Sequence, residues 1–180
     1  MHPLLQILPH VEHFSVLWYW FVFFSAFLES FVAVGLIYPG SFVVIFFGFL
    51  ASQGSYDFGD LIWFSAIGLI LGDLVSFYLG GKGTHLFRGE EALLQWPFVH
   101  RFLDKGEAFF ERHGSKSVFL SHFIGPLGAV VPFIAGLSKM NPRSFIFWSI
   151  LTGFAWAIAH LLVGYFFGGT FTTIRTLMGL

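Results

Sequence analysis

Phe27-Leu28-Glu29-Ser30-Phe31-Val32-Ala33-Val34-Gly35-Leu36-Ile37-Tyr38-Pro39-Gly40-Ser41 carries a lone carboxylate and, ten residues on, a helix breaker. Glu29 is the only Asp, Glu, Lys or Arg between His13 and Tyr56, and its neighbours are mostly Phe, Val, Leu, Ile, Trp and Gly. A carboxylate at the centre of a membrane helix costs roughly 2.5–3.5 kcal/mol even on lenient scales, so it normally faces a cavity or a partner. Backbone broken at that depth must be buried in protein or line a water-filled site. Together the two features predict a transport site rather than a passive anchor.

Composition places the rest of the chain in the same setting. Of its 180 residues, 56% are hydrophobic and only 11% are charged. Soluble domains average about 25% charged residues, so an integral membrane protein is expected. A formal net charge of −1 offers no basic face for nucleic acid. The absence of cysteine excludes disulfides and thiolate metal sites. Met1 to His13 contains no Lys or Arg, unlike the basic start of a cleavable signal peptide.

Apolar runs divide the chain into two kinds of segment. Phe14 to Ile37, Leu61 to Gly80 and Phe145 to Phe167 have the length of single crossings, which need about 20 residues. Pro39 to Leu50 is too short for that and reads as a re-entrant segment. Val118 to Leu137 contains Gly125-Pro126 and Pro132. Proline removes a backbone donor and clashes with the preceding turn, so this run predicts a hairpin that dips in and returns.

Residues 88–116 hold ten of the nineteen Asp, Glu, Lys and Arg, five of each sign. After Pro97, Phe98, Val99, Phe102, Leu103, Phe109 and Phe110 recur at helical spacing, with charges between them. This is an amphipathic helix on the membrane surface or the neck of the bundle, or else a solvated connector. Six of the nine Lys and Arg lie between Lys82 and Lys116, whereas Ser52 to Asp60 has none. The positive-inside rule puts the central helix in the cytoplasm. The expected architecture is therefore a single all-α membrane domain over residues 1–180. It has about three transmembrane helices and two opposed re-entrant hairpins in an inverted repeat, the halves spanning about 14–82 and 117–168.

Glu29, Asp73 and His122 are the candidate proton- or substrate-binding residues. Glu29 either loads and releases a proton in a cavity or locks helices together through hydrogen bonds. Asp73 lies late in the second span, where a solvated or capping role near the cytoplasmic interface competes with a role in the site. Gly68 and Gly72, four apart, suit close helix packing. His122, three residues before Gly125-Pro126, could titrate or donate to an anionic headgroup, or be an ordinary interfacial histidine. Pro39, Gly40, Ser41, Gly125, Pro126 and Pro132 are expected to line the site as breakers. His160 is expected to bond across to another helix. No nucleophile elbow or helical histidine pair for a metal is present, and Gly80-Gly81-Lys82-Gly83 lacks the spacing of a phosphate loop.

The order of these stretches resembles the DedA family, whose core is also called the VTT or SNARE-associated Golgi domain. The resemblance rests on Phe27-Leu28-Glu29-Ser30, Tyr38-Pro39-Gly40 with Gly48, Leu71-Gly72-Asp73 and Tyr78-Leu79-Gly80. It continues through Phe109-Phe110-Glu111-Arg112-His113-Gly114, Phe123-Ile124-Gly125-Pro126, Val131-Pro132, Ala135-Gly136 and Trp156. It implies two opposed re-entrant hairpins and the movement of lipids or ions. Bacterial relatives are associated with recycling undecaprenyl phosphate or with proton-dependent envelope maintenance, and eukaryotic ones scramble phospholipids. The chain departs from the family pattern at Ser41, where many members are acidic, and at His122 and Gly128, where many carry arginines. Losing two guanidiniums removes bidentate phosphate donors.

Three functions follow, none of them enzymatic. A lipid translocase or scramblase in a bacterial inner membrane comes first, with membrane lipids, including an anionic headgroup, as partners. A proton-coupled transporter of small ions or solutes comes second, and an assembly factor without transport third. No cofactor is called for, the coupling ion would be a proton or sodium, and homo-oligomerisation stays open.

Overall fold

The computed structural model describes residues 8–82 and 97–177, and every regular element among them is helical. These are α1 (Leu8–Ser30), α2 (Val32–Gly35), α3 (Gly40–Ser52), α4 (Phe58–Gly81) and α5 (Pro97–His113). A 3-10 turn (Gly114–Lys116) then leads into α6 (Ser117–Ser121), α7 (Leu127–Leu137) and α8 (Pro142–Leu177). The part of the expected central helix before Pro97 lies outside the described residues.

α4 is the axis of the bundle. Asp57 caps its start by accepting the Asp60 N–H at 2.9 Å, and Asp60 adds a negative charge to the first turn, where the helix dipole favours it. Its 24 residues extend about 36 Å at 1.5 Å per residue. α4 and α8 are the two helices among the described residues long and apolar enough to cross a membrane.

Small residues set how the neighbours meet α4. A side chain at Gly68 would strike the Phe23 carbonyl, and one at Gly72 the Phe27 carbonyl, so α1 runs parallel to α4 with backbones in close approach. This is the packing expected of that glycine pair. Gly80 and Gly136 do the same for α4 and α7, each facing a carbonyl of the other helix. Gly48 and Gly164 bring α3 against α8.

The segment expected as one span over Phe14 to Ile37 is broken. α1 ends at Ser30, and Phe31 takes an extended conformation (φ −78°, ψ 118°) before the single turn of α2. No proline or glycine sits at that point. The α4 side chain Ser76 accounts for it: its hydroxyl accepts the Val32 N–H at 2.9 Å and donates to the Ser30 carbonyl at 3.1 Å. The backbone groups freed by the break are thus satisfied internally.

α3 then folds back antiparallel to α1. Ser25 and Tyr38 share a hydroxyl–hydroxyl bond of 2.8 Å near the turn, while Phe21 faces Phe47 further up. The Asp57 N–H donates to the Tyr19 hydroxyl at 2.9 Å, which brings this hairpin's open end level with the start of α4. α6 and α7 form a second, shorter hairpin at the opposite end. Its turn contains Gly125 at φ +55°, the left-handed region that glycine enters without a steric cost. Pro126 caps α7, but Pro132 lies within it and the helix continues through. The expectation that both prolines break the chain therefore holds only for the first.

Two apolar clusters fill the interior. One joins Val22, Val44, Phe47, Leu61, Leu69, Trp156 and Leu161, and the other Val118, Val131, Ala135 and Phe145. Between them along α1, α4 and α8 lie buried Ser30, Asp73, Ser76 and Ser149. α5 packs on α7, where Gly106 faces Val130, and half-buried Phe109 and Phe110 join the second cluster. Outside, large apolar side chains are bare, Phe42 at 72% and Phe167 at 71% exposure. Patches of this kind on a soluble monomer would be a liability, whereas a lipid environment solvates them.

Candidate functional site

The turns of the two hairpins meet around a cavity of about 220 Å³. Its wall includes Glu29, Tyr38, Pro39 and Ser41 from the first hairpin. His122, Gly125, Pro126 and Gly128 come from the second. Residues nearly a hundred positions apart thus share one partly polar pocket.

Glu29 enters the cavity from the last turn of α1. Its Oε1 accepts from the Ser41 hydroxyl. Its Oε2 is buried and has no hydrogen-bond partner, alone in this among the side-chain nitrogens and oxygens of the described residues. A buried polar atom left unpaired is costly, and this one lies on the Gly40 side of the carboxyl, closed to a group the size of water. Gly40 stands behind this carboxylate. A side chain there would meet the Ser25 carbonyl and Glu29 itself, so glycine is needed for α3 to start so close to α1.

Asp73 is not the solvated, interface-level residue that its position in the span suggests. It is fully buried and joins three elements. Oδ1 accepts from the Ser30 hydroxyl and lies 3.1 Å from His122 Nε2, while Oδ2 accepts from the Ser149 hydroxyl at 2.8 Å. His122 Nδ1 sits 3.0 Å from the Val118 carbonyl. A carbonyl only accepts, so Nδ1 carries a hydrogen. The contact at Nε2 then needs a second proton, held either by the imidazole or by Asp73.

His122 therefore turns both nitrogens inward, and it is the ring that borders the cavity. Gly128 makes this possible, because a Cβ there would press on His122 Cδ2 and Cγ. The histidine and the glycine at these two positions fit one another. His160 also differs from expectation: its Nδ1 lies 2.8 Å from the carbonyl of Trp156 in its own helix.

Of the expected site residues, the structure gathers Glu29, Pro39, Ser41, His122, Gly125 and Pro126 at the cavity. Asp73 stands behind His122, Gly40 behind Glu29, and Pro132 is buried within α7 away from the wall. Ser30 and Ser149 are additions that the sequence pattern does not single out. Each is a lone hydroxyl in an apolar run, a visible signal, but their shared partner is 43 and 76 residues away.

A VTT domain family model matches residues 38–166 of this chain. The chain belongs to the DedA family. It is 28% identical over 171 residues to Protein DedA of Escherichia coli K12, covering 93% of this chain and 77% of that protein. It is 32% identical over 142 residues to inner membrane protein YabI of the same organism, covering 77% of this chain and 54% of that protein. An uncharacterised membrane protein of Mycobacterium leprae shares 31% over 142 residues, covering 77% of this chain and 63% of that one. No solved structure gives a significant match. This DedA-family chain is a membrane protein, and its bare apolar surface is the face it turns to lipid.

Proposed function

We propose that this DedA-family protein is a phospholipid translocase or scramblase of a bacterial inner membrane. In this reading α1–α3 and α6–α7 are re-entrant hairpins that enter from opposite sides, with α5 in the cytoplasm beside the Lys- and Arg-rich segments. A headgroup occupies the cavity where the hairpins meet, while the acyl chains stay in the bilayer. Glu29 binds the proton or the cargo, Ser41 orients it, and the Asp73–His122 pair holds the second hairpin in place behind the cavity. The observation that carries the reading is the 220 Å³ cavity between the turns of the two hairpins, with the Glu29 carboxyl in its wall.

The reading is tested with purified protein in vesicles holding trace acyl-labelled phospholipid and an impermeant quencher. Lipid should become accessible from the inner leaflet faster than in protein-free vesicles, and Glu29→Gln should bring the rate back toward theirs. A wild-type rate equal to that of empty vesicles would remove the proposal. Proton- or sodium-coupled movement of a small solute is a second reading, favoured by the same carboxyl in the cavity wall and needing no lipid entry route. It predicts solute flux driven by an ion gradient in vesicles whose lipids stay put.

A further inference from the structure

We infer that the end of the bundle where α4, α7 and α8 meet holds the phosphate of an anionic phospholipid, at a rim outside the cavity and independently of what the cavity carries. Gly81 and Gly136 face each other backbone to backbone, so Lys82 just past α4 and Lys139 just past α7 leave from one corner. Phe145 stacks on Phe77 at 4.1 Å, which stands the first turn of α8, with Arg143, beside them. Val118 packs in the same apolar cluster as Phe145 and brings Lys116 to this end as well. All four cations are exposed. No carboxylate among the described residues lies within ion-pair distance of any of them. Neighbouring α5 leaves that excess standing, since Arg101, Lys105 and Arg112 balance its own Asp104, Glu107 and Glu111.

Lys139 carries the argument furthest. At φ +52° it is the one non-glycine residue among those described in the left-handed region. It ends α7 in a Schellman turn, where the Met140 N–H donates to the Ala135 carbonyl and the Lys139 N–H to the Gly136 carbonyl, each at 3.0 Å. Helices ordinarily place glycine at this position, because an L side chain is strained there. A cation near the last carbonyls of the helix recovers part of that cost, whereas glycine avoids it altogether. An ammonium kept under strain, with no acid to meet it, points to a partner outside the chain. The surface beside the cations decides that partner's chemistry. Tyr78, one turn before Lys82, is 59% exposed and has the Lys82 ammonium 4.3 Å from its ring centre. Phe147, one turn after Arg143, is 63% exposed, and Leu137 beside Lys139 is bare too. Cations bordering bare apolar side chains match a molecule with a phosphate at one end and acyl chains at the other. A soluble anion meets only half of this surface, and a zwitterionic lipid brings an ammonium of its own into a cluster of cations.

The test follows lipid retention by the purified full chain in detergent, by native mass spectrometry and thermal unfolding. Phosphatidylglycerol should bind about ten-fold more tightly than phosphatidylcholine or better at low salt, and high salt should shrink the difference. Lys139→Gly relieves the backbone. Without added lipid it should unfold at the wild-type temperature or above, while its phosphatidylglycerol affinity falls about five-fold, the scale of one basic residue at an anionic surface. Lys82→Gln combined with Arg143→Gln should lower that affinity further. Equal affinity for the two lipids, or a preference unchanged in Lys139→Gly, would overturn the inference. So would Lys139→Gly unfolding at a clearly lower temperature without lipid, because the lysine would then serve the fold. Inorganic phosphate tests for a soluble ligand, and stabilisation by it equal to that by phosphatidylglycerol would remove the lipid. Should the paired variant not fold, the wild-type salt dependence and Lys139→Gly decide.

Discussion

Glu29 and Asp73 are two acids on adjacent helices of one apolar bundle, and their oxygens are treated in opposite ways. Asp73 is sealed in, with Ser30, His122 and Ser149 on its two oxygens. Glu29 stands in a cavity wall, with one oxygen tied to Ser41 and the other left over beside Gly40. A buried acid with both oxygens engaged is a structural joint. A half-buried acid on a cavity wall with one oxygen left over is the candidate binding group. Burial alone does not separate the two; the inventory of partners does.

The comparison can be broken by mutation, and the largest effect on stability belongs to Asp73. Asp73→Ala should cost about 3–5 kcal/mol, because it strands His122 in the interior without its partner. A thermal or denaturant titration in detergent checks this, and a change below about 1 kcal/mol would mean the joint is not one. His122→Ala together with Asp73→Ala should cost less than the two single changes summed, since contacting groups do not add.

Glu29→Gln comes at the other extreme for folding and first for activity. It keeps the shape and the Ser41 contact, so stability should shift by no more than about 1 kcal/mol while lipid movement falls away. A stable, fully active variant would make Glu29 a spectator. Ser149→Ala removes one of three groups on Asp73 and should cost about 1–3 kcal/mol, the range for a buried acceptor losing its donor. Gly164→Ala should cost a similar 1–3 kcal/mol by overpacking, because its Cβ would meet the Ile45 carbonyl and push α3 off α8. Gly169→Ala is the matched control, since its Cβ meets nothing within 4 Å. Its effect should stay within about 0.5 kcal/mol.

The same two acids mark the boundary between what the amino-acid order reveals and what only the folded bundle does. Glu29 stands out in the sequence because an ionisable group in a long apolar run is rare, and Tyr38-Pro39-Gly40 marks the turn through proline's missing donor. The spans over α4 and α8 follow from length. Asp73 is visible in the sequence but its depth is not, since that depth depends on α1 and α8 covering it, and no local pattern records such cover. The break at Phe31 is hidden for the same reason, being supported by Ser76, 44 residues beyond the Val32 N–H it accepts. His160 departs in the other direction: a helix offers its own carbonyl four residues back, and the imidazole takes it. Local chemistry is legible in the chain; pairings that depend on tertiary contact are not.

The most direct measurement uses the absence of cysteine in this sequence. Ser41→Cys and Phe46→Cys place single thiols on α3, one at the cavity and one on the bare apolar face. In reconstituted vesicles, a membrane-impermeant, positively charged methanethiosulfonate should modify the thiol at 41 quickly and leave the one at 46 nearly untouched. Equal, slow reaction at both positions would mean that water does not reach the carboxylate, and the account of Glu29 as a binding group would be wrong.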